Sequence, residues 1–351
     1  MVSPQSHIAV AAFPYGTHSA PLLSLTTALA SLASSSHFSF LSTSRSLASL
    51  PQPCLANISF VPISDGITDP SVPANIEEQI GLFLKSFQES LREGLKEAEV
   101  EVGCKVSCVM SDAFLWMAGD AASKIGVKWV PVWTGGPQAL SAHLHTDLIR
   151  KIVGVGDEAI KSYGDKKINF VPGLSNHLAS DLQHGIIGGD LNSPISTMVY
   201  QMAHRLLNSD AIVLNMIQGL DPTVESYFTQ KFTNYLPVGP FHLLNSPEIE
   251  QASDPYGCIS WLDQYERATV VYISLGTIVT IPPSELTSLA NGLEASEEGV
   301  VKALEVVLKG EEGRKMRDKA RELKDMANTA LTKHGSTQNN LKRLMEIVCG
   351  C

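Results

Sequence analysis

Short, nearly continuous apolar runs alternate with stretches of helical periodicity along the first 241 positions. Runs of that kind suit strands buried on both faces of a parallel sheet. His7–Ala12 predicts a first strand, and a turn over 13–19 leads to a helix from Ala20 to about Ser34. Pro21 falls in the first turn of that helix, where a missing N–H costs nothing. His37–Thr43 and Ile58–Pro62 predict the next two strands. Ile80, Phe83, Leu84, Phe87, Leu91 and Leu95 recur at helical spacing and predict an amphipathic helix over Ile76–Glu99. Strand Val106–Met110, helix Ala113–Ile125, strand Lys128–Trp133 and helix Ala139–Val153 follow. A Gly-containing loop region then runs to about Asp190. Helix Ile195–Leu207, strand Ala211–Asn215 and the segment Leu236–Phe241 close a first domain over 1–241. The alternation predicts an α/β fold with a doubly wound parallel sheet.

Beyond Phe241 the pattern changes. Residues 242–258 are polar, contain Pro247 and Pro255, and read as a linker. A short helix over Ile259–Gln264, a strand over Thr269–Ser274 and a helix over Ser284–Ala295 come next. Then Glu297–Leu308, Glu311–Leu331 and Thr337–Val348 are all helical and densely charged, with no second strand. A lone strand leaves unpaired backbone edges. A stripe of Met316, Ala320, Leu323 and Ala327 can cover apolar area but supplies no ladder hydrogen bonds.

Composition narrows the class. The chain has 351 residues, 44% hydrophobic and 18% charged, with a formal net charge of −10. That balance excludes intrinsic disorder and argues against a nucleic-acid partner, which positive surface would hold. No apolar run approaches the ~20 residues that span a bilayer. Met1–Ala12 lacks the basic start and cleavage site of a signal peptide, so a cytoplasmic protein is expected. The six cysteines show no disulfide rhythm, and Cys104 and Cys108 lack a second ligand pair for zinc. His143 and His145, two apart on a helix, point to different faces and make a poor metal pair. Gly154-Val155-Gly156-Asp157-Glu158-Ala159 fits a relaxed dinucleotide pattern, but a helix precedes it and two carboxylates would repel phosphate; it reads as a loop.

Ligands of a doubly wound sheet bind beyond the carboxyl ends of its strands. His18 and Asp112 both lie at such ends, and a carboxylate on one imidazole nitrogen would leave the other free to accept a proton. The helix start at Ala20 disfavours imidazolium by ~0.3–1 kcal/mol. An adjacent carboxylate favours it by ~1–3 pK units, so a paired His18 becomes the stronger base. The competing reading makes His18 a loop residue and Asp112 a helix cap.

Those residues sit in recognisable motifs. Phe13-Pro14-Tyr15-Gly16-Thr17-His18-Ser19-Ala20-Pro21-Leu22 resembles the first loop of plant family 1 UDP-glycosyltransferases. Val106 to Trp116, with Ser111-Asp112-Ala113-Phe114, is similar to their acidic-partner strand. Val132-Trp133-Thr134-Gly135-Gly136-Pro137, with His143 beyond, resembles their next loop, and Leu236–Phe241 and Tyr272–Thr277 continue the likeness. It runs from His7 to Ser296 and is nearest to the flavonoid and anthocyanidin 3-O-glucosyltransferases. The resemblance implies a GT-B fold of two Rossmann-like domains, acceptor in the first and UDP-sugar mainly in the second. It implies His18 as general base and Asp112 as the group that orients it and stabilises its charge. Thr134 would touch the sugar, Gly276 and Thr277 would approach the diphosphate, and Phe114 and His143 would line a flavonoid pocket. The bland alternatives are Phe114 as core, His143 as helix surface and Thr277 as a strand-end cap. The implied reaction is inverting hexose transfer to a flavonoid 3-hydroxyl, with UDP-glucose as co-substrate and neither metal nor bound cofactor.

One departure matters. The family's donor-binding box is absent; Trp116, Trp129, Trp133 and Trp261 are the only tryptophans. The likeness jumps near 296/297, where about a hundred residues, a small domain's worth, are missing. Residues 259–351 therefore read as a remnant of the second domain. The expectation is an intact first domain beside a loose remnant. Three functional readings stay open: a glycosyltransferase by descent with little activity, a non-catalytic acceptor-binding or regulatory protein associating with a full-length relative, or the product of a skipped exon or incomplete gene model.

Overall fold

The computed structural model describes residues 4–68, 75–245, 254, 256–266, 270, 272–276, 281–295 and 310–350. The chain divides into one unit of Met1–Asn245 with Ala330–Cys351, and another of Ser246–Thr329.

The first unit is built on seven parallel strands: β1 (Ser6–Ala11), β2 (Ser36–Thr43), β3 (Ile58–Ile63), β4 (Cys108–Asp112), β5 (Lys128–Trp133), β6 (Ile212–Leu214) and β7 (Tyr235–Pro237). Their order is β3-β2-β1-β4-β5-β6-β7, so the chain reverses its direction of travel between β1 and β4. The helices are α1 (Ser19–Leu32), α2 (Ser44–Ala48), α3 (Ile76–Val102), α4 (Met117–Ile125), α5 (Pro137–Leu144), α6 (Thr146–Val153), α7 (Asp157–Tyr163), α8 (Pro194–Arg205) and α9 (Pro222–Lys231). Strand alternation sends Ala9, Ala11 and Val109 into a core shared with α3, α4, α8 and α9. Ile8, Val10, Cys108 and Met110 face a second core under α1 and the closing helix Ser336–Cys349.

The long helix α3 starts where the Asn75 side chain accepts the Glu78 N–H and stops where Gly103 turns left-handed at φ 67°. Gly94 lets this helix lie against the sheet: a Cβ there would sit 2.7 Å from Ile63 Cγ2 and 2.8 Å from Leu41 Cδ2. The closing helix is pinned by Thr337 Oγ1 donating to Gly239 O at 2.7 Å and Asn340 Nδ2 to Pro237 O at 2.9 Å. It therefore belongs to the first unit, whereas the sequence grouped all of 259–351 with the second.

Other differences have local causes. The helix expected over Ala139–Val153 is two, α5 and α6, interrupted at His145, whose φ −104°, ψ 13° leaves the helical region. Residues 113–116 form turns before α4, because Asp112 O takes the Leu115 N–H and a side-chain oxygen takes the Phe114 N–H. Of residues 154–159, read as a loop from the sequence, only 154–156 form one, with Gly154 and Gly156 at φ 91° and 83°; residues 157–159 open α7 instead, Gly156 lying at its start. The loop region to Asp190 holds α7 and its own apolar cluster with Ile168, Val171 and Ile186.

In the second unit the described residues form the helices Cys258–Leu262, Pro283–Ala295 and most of Glu311–Leu331. The expected strand is not formed by its described residues: Val270 and 272–274 carry no strand pairing, and Tyr272 is 88% exposed. Glu297–Leu308 lies outside the described residues. Of the charged helix's stripe, Met316 is exposed and Ala327 buried.

Candidate active site

The crevice between β1 and β4 holds the pair read from the sequence. After β1 the loop is set by Phe13, which is buried, and by Ser19 Oγ, which donates to Phe13 O at 2.9 Å and meets Ser46 Oγ at 2.9 Å. Gly16 turns at φ 64°, and His18 follows at the start of α1 without capping it. Asp112 ends β4, whose pairing with β1 brings Ser111 opposite Ala11. The imidazole Nδ1 and Asp112 Oδ2 are 2.7 Å apart. Asp112 Oδ1 accepts the Phe114 N–H at 2.9 Å, so each carboxylate oxygen has a hydrogen-bond partner. His18 keeps 23% of its side chain exposed, Asp112 only 2%.

Burial opposes charging His18, but the hydrogen bond and the charge of Asp112 outweigh it, and the histidine is raised above its ordinary 6.5. Nδ1–H thus donates to the carboxylate when the ring is neutral, leaving Nε2 as the basic atom.

An aromatic wall extends from this dyad. The His18 and Phe114 rings are 4.7 Å apart, Phe114 and Trp133 5.9 Å, Trp133 and His143 6.0 Å. Trp133 Nε1 is fixed by Gly136 O at 2.9 Å. His143 is buried and pushed down to about 4, chiefly by that burial; a hydrogen bond with Gln183 works the other way. It is a neutral ring, and its Nδ1 is buried with no hydrogen-bond partner among the described residues. His145 sits apart, its Nδ1 2.8 Å from Ser141 O.

Of the sequence candidates, His18, Asp112, Phe114 and His143 are thus linked through one wall. Thr134 is half-buried just past the carboxyl end of β5. Gly276, in the second unit, turns at φ 80° with open space around it; Thr277 lies outside the described residues. Sequence reasoning missed Phe13, whose ring is 5.2 Å from His18 and 5.5 Å from Phe114, and Gln183. Phe13 could have been found from its place just after β1; no local signal marks Gln183. Among the described residues no cluster of three His, Cys, Asp or Glu side chains could hold a metal. No helix among them is long and apolar enough to cross a membrane.

A histidine–carboxylate pair at the switch point of a doubly wound sheet, flanked by aromatic rings, has the chemistry to take up a proton beside an apolar wall. Residues 13–338 match the family described as UDP-glucoronosyl and UDP-glucosyl transferase, and the chain belongs to that family. It is 38% identical over 300 residues to Flavonol 3-O-glucosyltransferase of Arabidopsis thaliana, covering 83% of this chain and 64% of that enzyme. Against Anthocyanidin 3-O-glucosyltransferase UFGT of Vitis vinifera it is 39% identical over 295 residues, with the same coverages. The chain therefore spans just under two thirds of the length of these relatives. The structure of a UDP-glucose: anthocyanidin 3-O-glucosyltransferase in complex with UDP superimposes with a TM-score of 0.90 at 25% identity, covering 100% of both chains. The fold is α/β of the GT-B kind.

Proposed function

We propose that the first unit is the acceptor-binding half of a flavonoid 3-O-glycosyltransferase and that His18 is its general base. The observation that carries this reading is the His18–Asp112 contact at 2.7 Å with Phe114 against the imidazole. A flavonoid hydroxyl placed at Nε2 loses its proton there, and Asp112 stabilises the imidazolium that forms. The oxygen attacks the anomeric carbon of a UDP-sugar, UDP-glucose being the sugar donor named for the superimposed anthocyanidin 3-O-glucosyltransferase. The new C–O bond forms as the bond to the UDP oxygen breaks, with inversion. The His143 Nδ1, without a hydrogen-bond partner among the described residues, favours a polar acceptor, since a ligand hydroxyl would satisfy a buried atom that is costly to leave alone. Thr134 is assigned to the sugar, and Gly276 with Thr277 to the diphosphate.

Catalysis by this chain alone is proposed to be negligible. The donor box is missing from the sequence near 296/297, and the described part of 259–295 has no paired strand to carry one. The chain then acts as an acceptor-binding protein, with the first unit, closing helix included, as the binding domain and the cytoplasm as its compartment. Incubation with quercetin and UDP-glucose, followed by chromatography, tests this. Glucoside absent from both the natural chain and His18→Ala supports it; product that His18→Ala abolishes would restore the chain to full enzyme status.

A further inference from the structure

A cavity lies at the other end of β4 from the dyad. It measures about 570 Å³, bounded by the C-terminal half of α3, the C-terminal half of α4 and the residues that lead into β4. Its floor is apolar: Leu95 and Val106 are buried, and Ala121 and Ile125 complete it, with Ile125 still 48% exposed. The rim carries four cations, Arg92, Lys96, Lys105 and Lys124, against one carboxylate, Glu99. That carboxylate is already engaged, accepting from Lys105 at 2.5 Å and from the Val106 N–H at 3.1 Å. Arg92 is held by Glu89. Lys96 and Lys124 form no ion pair among the described residues, in a chain whose net charge is −10.

We propose that this cavity binds an amphiphilic organic anion, with a hydrocarbon body on the Leu95, Val106, Ala121 and Ile125 floor and a carboxylate or sulfate head held by Lys96 and Lys124. The volume falls within the ~300–1,000 Å³ of small-ligand sites. A small inorganic anion would leave the floor in water, and a neutral hydrocarbon would leave the two lysines unused. Each methylene moved from water to the floor strengthens binding about fourfold, so chain length and head charge act together. The site uses no residue of the acceptor cleft.

Calorimetry on the full chain, with dodecanoate and dodecyltrimethylammonium below their micelle concentrations, separates the terms. Dodecanoate is expected to bind one to one, and the cation of equal chain length about tenfold more weakly or worse. Lys96→Glu/Lys124→Glu should weaken dodecanoate by about tenfold with unchanged circular dichroism, and Lys96→Gln/Lys124→Gln by less. Phe114→Ala should leave dodecanoate binding unaltered. Equal affinity for the two amphiphiles, indifference to the double lysine variants, or loss on Phe114→Ala in place of them would overturn the assignment.

Discussion

Two helices of this chain carry the same apolar spacing and meet opposite fates. In the closing helix Leu341, Leu344 and Val348 stand at i, i+3 and i+7 and are 1%, 0% and 2% exposed, under the first sheet. In the helix Pro283–Ala295, Leu286, Leu289 and Leu293 repeat that spacing and remain 48%, 40% and 38% exposed. Periodicity specifies a helix with one apolar side; whether that side is buried depends on a sheet to receive it. In the first unit seven paired strands provide that surface. In the second, the described residues of the expected strand are unpaired.

The largest test of this contrast is limited proteolysis. Cleavage within 256–266 or 281–295 should outpace cleavage within 75–245 by about a hundredfold or more, because those largely exposed residues open without uncovering a buried core. The nicked protein should retain its closing helix on the first unit. Equal resistance of the two stretches would break the comparison. Next in size, Leu344→Ala should cost about 2–5 kcal/mol of the first unit's unfolding free energy in urea. Leu289→Ala should stay within about 0.5 kcal/mol by the same measurement. Matching losses would mean that both helices are equally buried.

Smaller effects are expected at the site. Phe114→Ala removes the ring beside His18 and should weaken flavonol binding by about tenfold, as aromatic contacts in double-mutant cycles suggest. Asp112→Asn removes the cause that lifts His18, leaving burial to lower it, so the histidine should titrate at lower pH in an NMR series. The sign follows for stability too: with its folded value raised, His18 contributes stability that is complete below 6.5 and is lost as pH rises through the folded value. That loss should vanish in Asp112→Asn. His143, held at about 4, should show no titration between pH 6 and 8 in the same spectra (an ordinary histidine would pass its midpoint near 6.5).

Much of the sheet was legible because its strands are apolar runs bounded by turn residues, and β5 falls on the expected Lys128–Trp133. The helix α9 was missed because Tyr227, Phe228 and Lys231 blur its stripe, although Asp221-Pro222 is a start signal and the Asp221 side chain does accept the Thr223 and Val224 N–H groups. The break at His145 and the turns at 113–116 arise from hydrogen bonds that periodicity does not encode. Placement of the closing helix needed its partners, Gly239 O and Pro237 O, about a hundred residues away in sequence. At the site, His18 and Asp112 were readable because strand ends converge at a switch point. Gln183 came from a loop with its own small core and gave no pattern to read.

The proposed function rests on a first unit that binds a flavonoid acceptor in a chain that holds no working UDP-sugar site. Calorimetric titration of one preparation, first with quercetin and then with UDP, tests it most directly. Quercetin should bind saturably, one to one, and UDP should give no saturable heat. Saturable UDP binding, or no binding of quercetin, would contradict it.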